Sequence, residues 1–346
     1  MGFTFDDEAA AKGASASLSE MAEIAASSQT ASRRIFPYLG GDELNTSPTQ
    51  THHRYVVNVN DLTLGQLDAG HPELLNILDR YVRSERQKEK NKKNGTMYTE
   101  WWKYWRERPD LYRSIAGLER AFALSRVSAQ MAVASVSTKM VFADSCVVFA
   151  FERYGPFAVL QSRSHELWAR FFASTLEDRL RYTPSDCFRT FPFPANFESD
   201  PALDAAGEAY HAFRAQLLTD RNEGLTKIYN RFHARGENAA DISRLRILHA
   251  EMDVAVLRAY ARSEPEEVIA QAWQDLADRA APEFIEQEVD EGKKVKTRLD
   301  WPAEFKDEVL ARLIALNVTR ADEERAAGLT ALAEDEDEDE GDVADE

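Results

Sequence analysis

Apolar residues recur at helical spacing in several stretches of this chain and alternate with polar ones in others. Behind His71-Pro72, the positions Leu74, Leu75, Leu78 and Val82 predict a helix that opens at the proline. The run RYVVNV, Arg54 to Val59, is β-branched and alternating and predicts a strand, with the turn PYLGG before it. Between residues 121 and 152, the segments AFALSRVS, MAVASVS, KMVFAD and CVVFAFE are separated by short polar gaps, which predicts an antiparallel meander. Leu160, Leu167, Trp168, Phe171 and Phe172 return to helical spacing. The proline-spaced aromatics of RYTPSDCFRTFPFP predict an extended edge strand. From 201 to 285 the pattern is helical throughout, with Asp241 placed as an N-cap, and a last helix follows Trp301-Pro302.

The predicted fold class is α+β: a small mixed unit with an antiparallel meander, then an all-α helical arm. The expected divisions are an Ala- and Ser-rich lead-in at 1–34, a mixed α/β domain at 35–198, a helical domain at 199–330 and a disordered acidic tail at 331–346. Charge sharpens this picture. The formal net charge is -18, yet Glu334 to Glu346 carries ten negative charges and no positive one. Arg80 to Arg126 holds thirteen Lys/Arg against six Asp/Glu, so a basic middle is masked by an acidic end. The charged run RSERQKEKNKKNG reads either as a solvated helix end or as an edge that tracks phosphates.

Candidate chemistry is sparse. There is no GxxxxGK[ST], no GxGxxG and no HExxH; Gly40-Gly41 is a lone pair. Cys146 reads as a small buried hydrophobe, and Cys187 as a weak candidate thiol without a nearby histidine. Ser162, Ser164 and His165 suggest a nucleophile and base only until helical geometry separates neighbours. No apolar run approaches a membrane span, and the first residues lack a signal-peptide pattern, so a cytoplasmic chain is expected. Trp101, Trp102, Tyr104 and Trp105 interleave with Lys103, Arg106 and Arg108. That texture suits stacking plus phosphate contact; the competing reading makes Trp102 and Trp105 one buried i, i+3 stripe. The residues alone argue for a binding module and do not choose its partner.

Four blocks in order carry a resemblance: PYLGGDELNTSPTQTHHRYVVN, LYRSIAGLERAFALSRVS, FAVLQSRSHELWARFF and RYTPSDCFRTFPFP, with LDWPAEFKDEVLARLIALNVTRADEE towards the end. Together they resemble the target-recognition region and C-terminal end of large adenine-specific DNA methyltransferases of fused type II restriction–modification (type IIG/IIL) and related phage-defence systems. In that family a preceding catalytic domain binds S-adenosylmethionine and methylates a flipped adenine through an Asn-Pro-Pro-aromatic motif. This chain has no Asn-Pro-Pro or Asp-Pro-Pro, so no catalytic residue and no cofactor site is expected in it. The resemblance implies a split or truncated gene, with double-stranded DNA and a separate methyltransferase polypeptide as partners.

The role implied is sequence-specific DNA recognition. Tyr38, Asn45, Thr46, Thr49, His52 and Arg54 are expected at the junction of DNA and the missing domain, Arg54 as a phosphate or base ligand. Asn45 and Thr46 read equally as a hydrogen-bonded turn. Lys103 and Arg106 are expected on phosphates, Arg126 and Ser128 at a strand end facing the major groove, and Lys139 in the next hairpin. Of Arg163, His165 and Arg170 on one helix, two are expected to be structural and Arg163 is kept as a DNA ligand. The competing functions are a protein-interaction subunit with little DNA binding and a non-functional fragment.

Overall fold

Strand Arg54–Val57 forms where the sequence expected one, and its partners come from far along the chain. It lies between Thr4–Phe5 and Ile35–Leu39, antiparallel to both, while Ile35–Leu39 also pairs in parallel with Val141–Phe142. This register sets Tyr38 directly opposite Arg54. In this computed structural model the described residues are 2–88, 95–173, 175–176, 179–287 and 296–328. The expected acidic tail and residues 89–94 of the charged run lie outside them.

The described chain divides into two compact units. The first comprises Met1–Ala123 and Ala134–Ala150, and the second comprises Leu124–Val133 and Phe151–Glu346. These boundaries do not coincide with the expected ones at 34/35 and 198/199. Residues 1–34 are no loose lead-in: Phe3, Phe5, Ile24 and Ala31 are buried in the same core as Val56, Leu67, Leu74, Leu78 and Trp102. Burying that many apolar groups outweighs the entropy of ordering the segment. Pro72 begins the helix Pro72–Leu78 as expected, and a π-helical turn, Asp79–Arg83, continues it.

The predicted meander is redistributed among three sheets. Ala134–Ser137, Arg120–Ser125 and Cys146–Phe149 form one sheet in that order. Val141–Phe142 instead joins Ile35–Leu39, and Val127–Ser128 pairs with Arg179–Arg181. Alternation shows which face of a strand is buried, but partner choice is a long-range matter.

In the second unit, helix Tyr154–Gln161 is buried all the way from Gly155 to Gln161. It packs on Pro201–Arg221, where Gly207 is required: a Cβ there would collide with the Tyr154 carbonyl oxygen. Gln161 Oε1 accepts from the Val133 amide (2.9 Å), and Arg214 Nη1 donates to the same oxygen (2.9 Å). Gln161 Nε2 donates to the Met131 carbonyl (3.0 Å). These bonds hold the excursion 124–133 inside this unit. Helices Leu225–His233, Ala240–Ser263, Glu267–Arg279 and Ala303–Ala326 follow, with Tyr260 stacked on Trp273 at 4.5 Å.

Three local expectations are corrected. The helical arm is interrupted by a hairpin, Glu283–Gln287 paired with Lys296–Asp300. RYTPSDCFRTFPFP is not one extended strand: Arg179–Arg181 ends early, and Pro184 opens a helical turn, Pro184–Cys187. Phe191, Phe193 and Phe197 then pack ring on ring. Asp241 is not an N-cap, since the helix begins at Ala240 and the Asp241 carboxylate takes two hydrogen bonds of 2.8 Å from Arg221.

Candidate nucleic-acid interface

In the first unit, the Gly-Gly turn, the short helix Gly41–Thr46 and strand Arg54–Val57 bracket a polar loop. Glu43 is fully buried beneath it. Its carboxylate accepts from Arg54 Nε (2.5 Å), Arg54 Nη2 (2.7 Å) and the Gly40 amide (3.0 Å). Burial alone would raise this carboxyl's pKa, but the Arg54 hydrogen bonds hold it below the usual range. The guanidinium lies 5.3 Å over the Tyr38 ring. The Gly41 amide donates to Ser145 Oγ (3.0 Å), so both glycine amides are committed within the fold.

Beyond this clasp the loop folds on itself. Thr46 Oγ1 donates to the Asp42 carbonyl (2.9 Å), and the Thr49 and Thr51 hydroxyls bond at 2.9 Å. Gln50 Nε2 donates to the Ser47 carbonyl (3.0 Å). Thr46 and Thr49 are exposed and Asn45 and His52 are half-buried. Asn45 makes no side-chain hydrogen bond among the described residues. His52 rests edge-on against Tyr55 at 4.9 Å, and burial lowers its pKa.

Trp101 and Trp102 are buried, and Trp102 Nε1 donates to the Leu62 carbonyl (2.9 Å). Trp105, expected in the core, is half exposed, with the Arg106 guanidinium 5.3 Å over its ring. The preceding helix stops at Thr99, so an i, i+3 stripe never forms. Lys103 is engaged with Glu100 (2.7 Å) and is three-quarters covered, whereas Arg106 is exposed. Lys139 is exposed. It sits on a crossover between two sheets, not at a hairpin tip, because Ala134–Ser137 and Val141–Phe142 do not pair.

The second unit holds Arg126, Ser128 and Arg163. Arg126 lies in the bend before Val127–Ser128, its carbonyl accepting from the Tyr182 amide (2.8 Å), and Ser128 is paired with Leu180. Arg163 must be withdrawn as a DNA ligand. It is buried, and its guanidinium is bonded to Asp253 and to His249 Nδ1 (3.0 Å). His165 is also buried, with Nε2 2.9 Å from the Tyr182 hydroxyl, and burial lowers its pKa to about 3. Arg170 bonds Glu166 (2.9 Å) and the Ala129 carbonyl (2.9 Å), so all three basic residues of this helix hold the fold together. Burial would raise the Glu166 pKa, but Arg298 and Arg170 keep its carboxyl below the usual range.

The sequence reading missed Arg179 and Arg181. Strand Arg179–Arg181 is the middle strand of the sheet that carries Ser128, with Leu180 buried and both arginines exposed on the opposite face. Neither guanidinium has a hydrogen bond or ion pair among the described residues. Most other arginines of this unit are paired, so these two leave cationic charge open to solvent. The Arg-Leu-Arg alternation was the available signal.

Other chemistry finds little support. Burial pushes the Cys187 thiol up to about 11, leaving it protonated and a poor nucleophile. Ser162 caps its own helix by accepting from the His165 amide (3.3 Å). Among the described residues, no group of three or more His, Cys, Asp or Glu is placed to hold a metal, and no helix is long and apolar enough to cross a membrane.

A comparison with curated proteins finds no match. Among solved structures, the type IIL restriction–modification enzyme MmeI in complex with DNA matches with a TM-score of 0.53 at 18% identity. The match covers 81% of this chain and 33% of that chain, so the chain spans about a third of MmeI and the likeness shows the fold. The family described as "MmeI, target recognition domain" matches residues 10–195, more than half of the sequence, and the chain belongs to that family.

Proposed function

We propose that this chain recognises DNA sequence within a restriction–modification system, positioning duplex DNA for a methyltransferase domain carried on another polypeptide. The observation that carries the reading is the open cationic face of the small sheet. Arg179 and Arg181 are exposed and have no hydrogen-bond or ion-pair partner among the described residues, on a strand bonded to the one bearing Ser128, in a chain of the target-recognition family. Guanidiniums suit both phosphates and guanine edges. The likeness to MmeI, a structure solved with DNA, supports this partner. In the first unit, the polar loop 45–53 and the exposed Trp105–Arg106 pair offer hydrogen-bonding and stacking groups.

Methyl transfer, with S-adenosylmethionine as donor, belongs to the other polypeptide in this reading. The residues here do not fit the cofactor: the Gly40 and Gly41 amides are spent on Glu43 and Ser145, and no catalytic motif accompanies them.

Fluorescence anisotropy with random-sequence duplex DNA tests the proposal. The chain should bind weakly, and each phosphate contact should contribute about 0.9 to the log–log salt slope. Adding a catalytic half from the same system should raise affinity and bring sequence preference. Salt-independent binding, or none in the assembled complex, would overturn the reading. A protein-interaction role is favoured by one feature, the exposed Phe171 and Phe172, which stack edge-on at 4.9 Å. Co-purification with a methyltransferase without any DNA shift would select that alternative.

A further inference from the structure

We propose that Glu43 is a positioning residue: its ion pair with Arg54 is a clasp that pre-organises the polar segment 45–53, the end of helix Gly41–Thr46 and the loop after it, for duplex DNA. The proposal rests on the DNA-recognition reading above.

NTSPTQTHH contains no Lys, Arg, Asp or Glu. Apart from protonation of its two histidines, it has no charge with which to attract a ligand, so its contribution must come from hydrogen bonds. Those depend steeply on distance and angle. A neutral polar loop therefore needs to be held in place before the ligand arrives, or ordering it consumes the binding energy.

The structure supplies a fastening at the loop's two ends. Glu43 lies just before the loop and Arg54 just after it. They are joined by two hydrogen bonds of 2.5 and 2.7 Å, with the carboxylate fully buried. A Cβ on Gly40 would lie 2.9 Å from Arg54 Nη2 and 2.9 Å from Glu43 Oε2, so the joint is packed around a glycine. The Tyr38 ring covers one face of the guanidinium. Asp6 approaches Arg54 Nε at 3.9 Å, and His53 Nδ1 lies 3.6 Å from Glu43. Inside the fastened loop, the side chains of Asn45, His52 and His53 make no hydrogen bond among the described residues. These are the groups left for a ligand.

The same geometry reassigns Arg54. Nε and one Nη2 hydrogen are committed to Glu43, and only about a quarter of the side chain is exposed, which leaves the outer Nη1/Nη2 edge for any further contact. In this proposal Arg54 acts through the loop that it fastens. Its loss should affect all DNA sequences alike.

A double-mutant cycle on the full chain tests this, read by anisotropy on random-sequence duplex DNA and by amide hydrogen exchange across residues 45–53. Glu43→Gln keeps the shape and removes the charge. It should weaken binding about tenfold on every sequence and speed exchange in the loop. Asn45→Ala should also weaken binding, but the double variant should bind no worse than Glu43→Gln alone, because an unfastened loop has already lost what Asn45 contributed. Gly40→Ala and Arg54→Lys reach the same joint from other sides, and they serve if Glu43→Gln does not fold. Additive losses, or unchanged binding and exchange in the folded variants, would overturn the clasp. If the wild-type chain binds no DNA even in the complex with its catalytic half, the DNA-recognition reading fails, and exchange alone then decides whether the clasp orders the loop.

Discussion

Single residues in this chain take their roles from local backbone more than from residue type. Trp102 and Trp105 show this. Equal spacing suggested equal burial, but the helix ends at Thr99, and beyond it Trp102 turns inward while Trp105 faces solvent. Trp102→Ala should therefore cost about 3–5 kcal/mol, and Trp105→Ala well under about 1 kcal/mol, in urea denaturation. His165 is a second case. In the folded chain it stays neutral down to about pH 3, while in the unfolded chain it takes a proton near pH 6.5. Between these values the unfolded state binds more protons, so stability falls as pH drops. The slope is about 1.4 kcal/mol per pH unit for this group. Urea melts from pH 7 to pH 5 should show the loss, and His165→Gln should flatten it. An unchanged slope in that variant would show that other groups carry the effect.

At the scale of elements, one helix turns its basic residues into the fold and one strand turns them outward. On helix Arg163–Phe172, Arg163 was expected to reach DNA, but the first turn faces inward. The pair of Arg163 and Asp253 is almost fully excluded from water. Removing one partner of a buried pair leaves the other uncompensated, so Asp253→Asn should destabilise by about 3–5 kcal/mol. Its effect on DNA should be no more than that loss of folding. Strand Arg179–Arg181 shows the opposite behaviour. Alanine at Arg179 or Arg181 should leave the melting temperature nearly unchanged and reduce the salt slope of DNA binding by about 1 each if they meet phosphates. A large loss confined to particular sequences would instead mark them as base contacts. The helices were legible from periodicity because each carries its own signal. The strands were legible as strands, yet their partners were not, since Val141–Phe142 and Val127–Ser128 pair with segments far from their neighbours in sequence.

Across the whole molecule, the net charge of -18 opposes DNA, but ten of those charges lie in the last thirteen residues. A chain ending at Ala333 should bind random duplex DNA more tightly at low salt, with the difference shrinking as salt is added, because long-range repulsion is screened. Equal affinity at low salt would mean that the tail does not oppose DNA at all.

The resemblance carried by the ordered sequence blocks was enough to place this chain among target-recognition domains, and helical and alternating patterns were enough to mark where most helices lie. Periodicity and motif are local properties, and they survive without a folded partner. Which basic residues face solvent was settled only when distant segments met. Burial closed Arg163 onto Asp253, Glu43 captured Arg54, and strand pairing left Arg179 and Arg181 open. Whether a charge is neutralised inside the fold or offered outside it depends on neighbours that the linear chain does not place side by side.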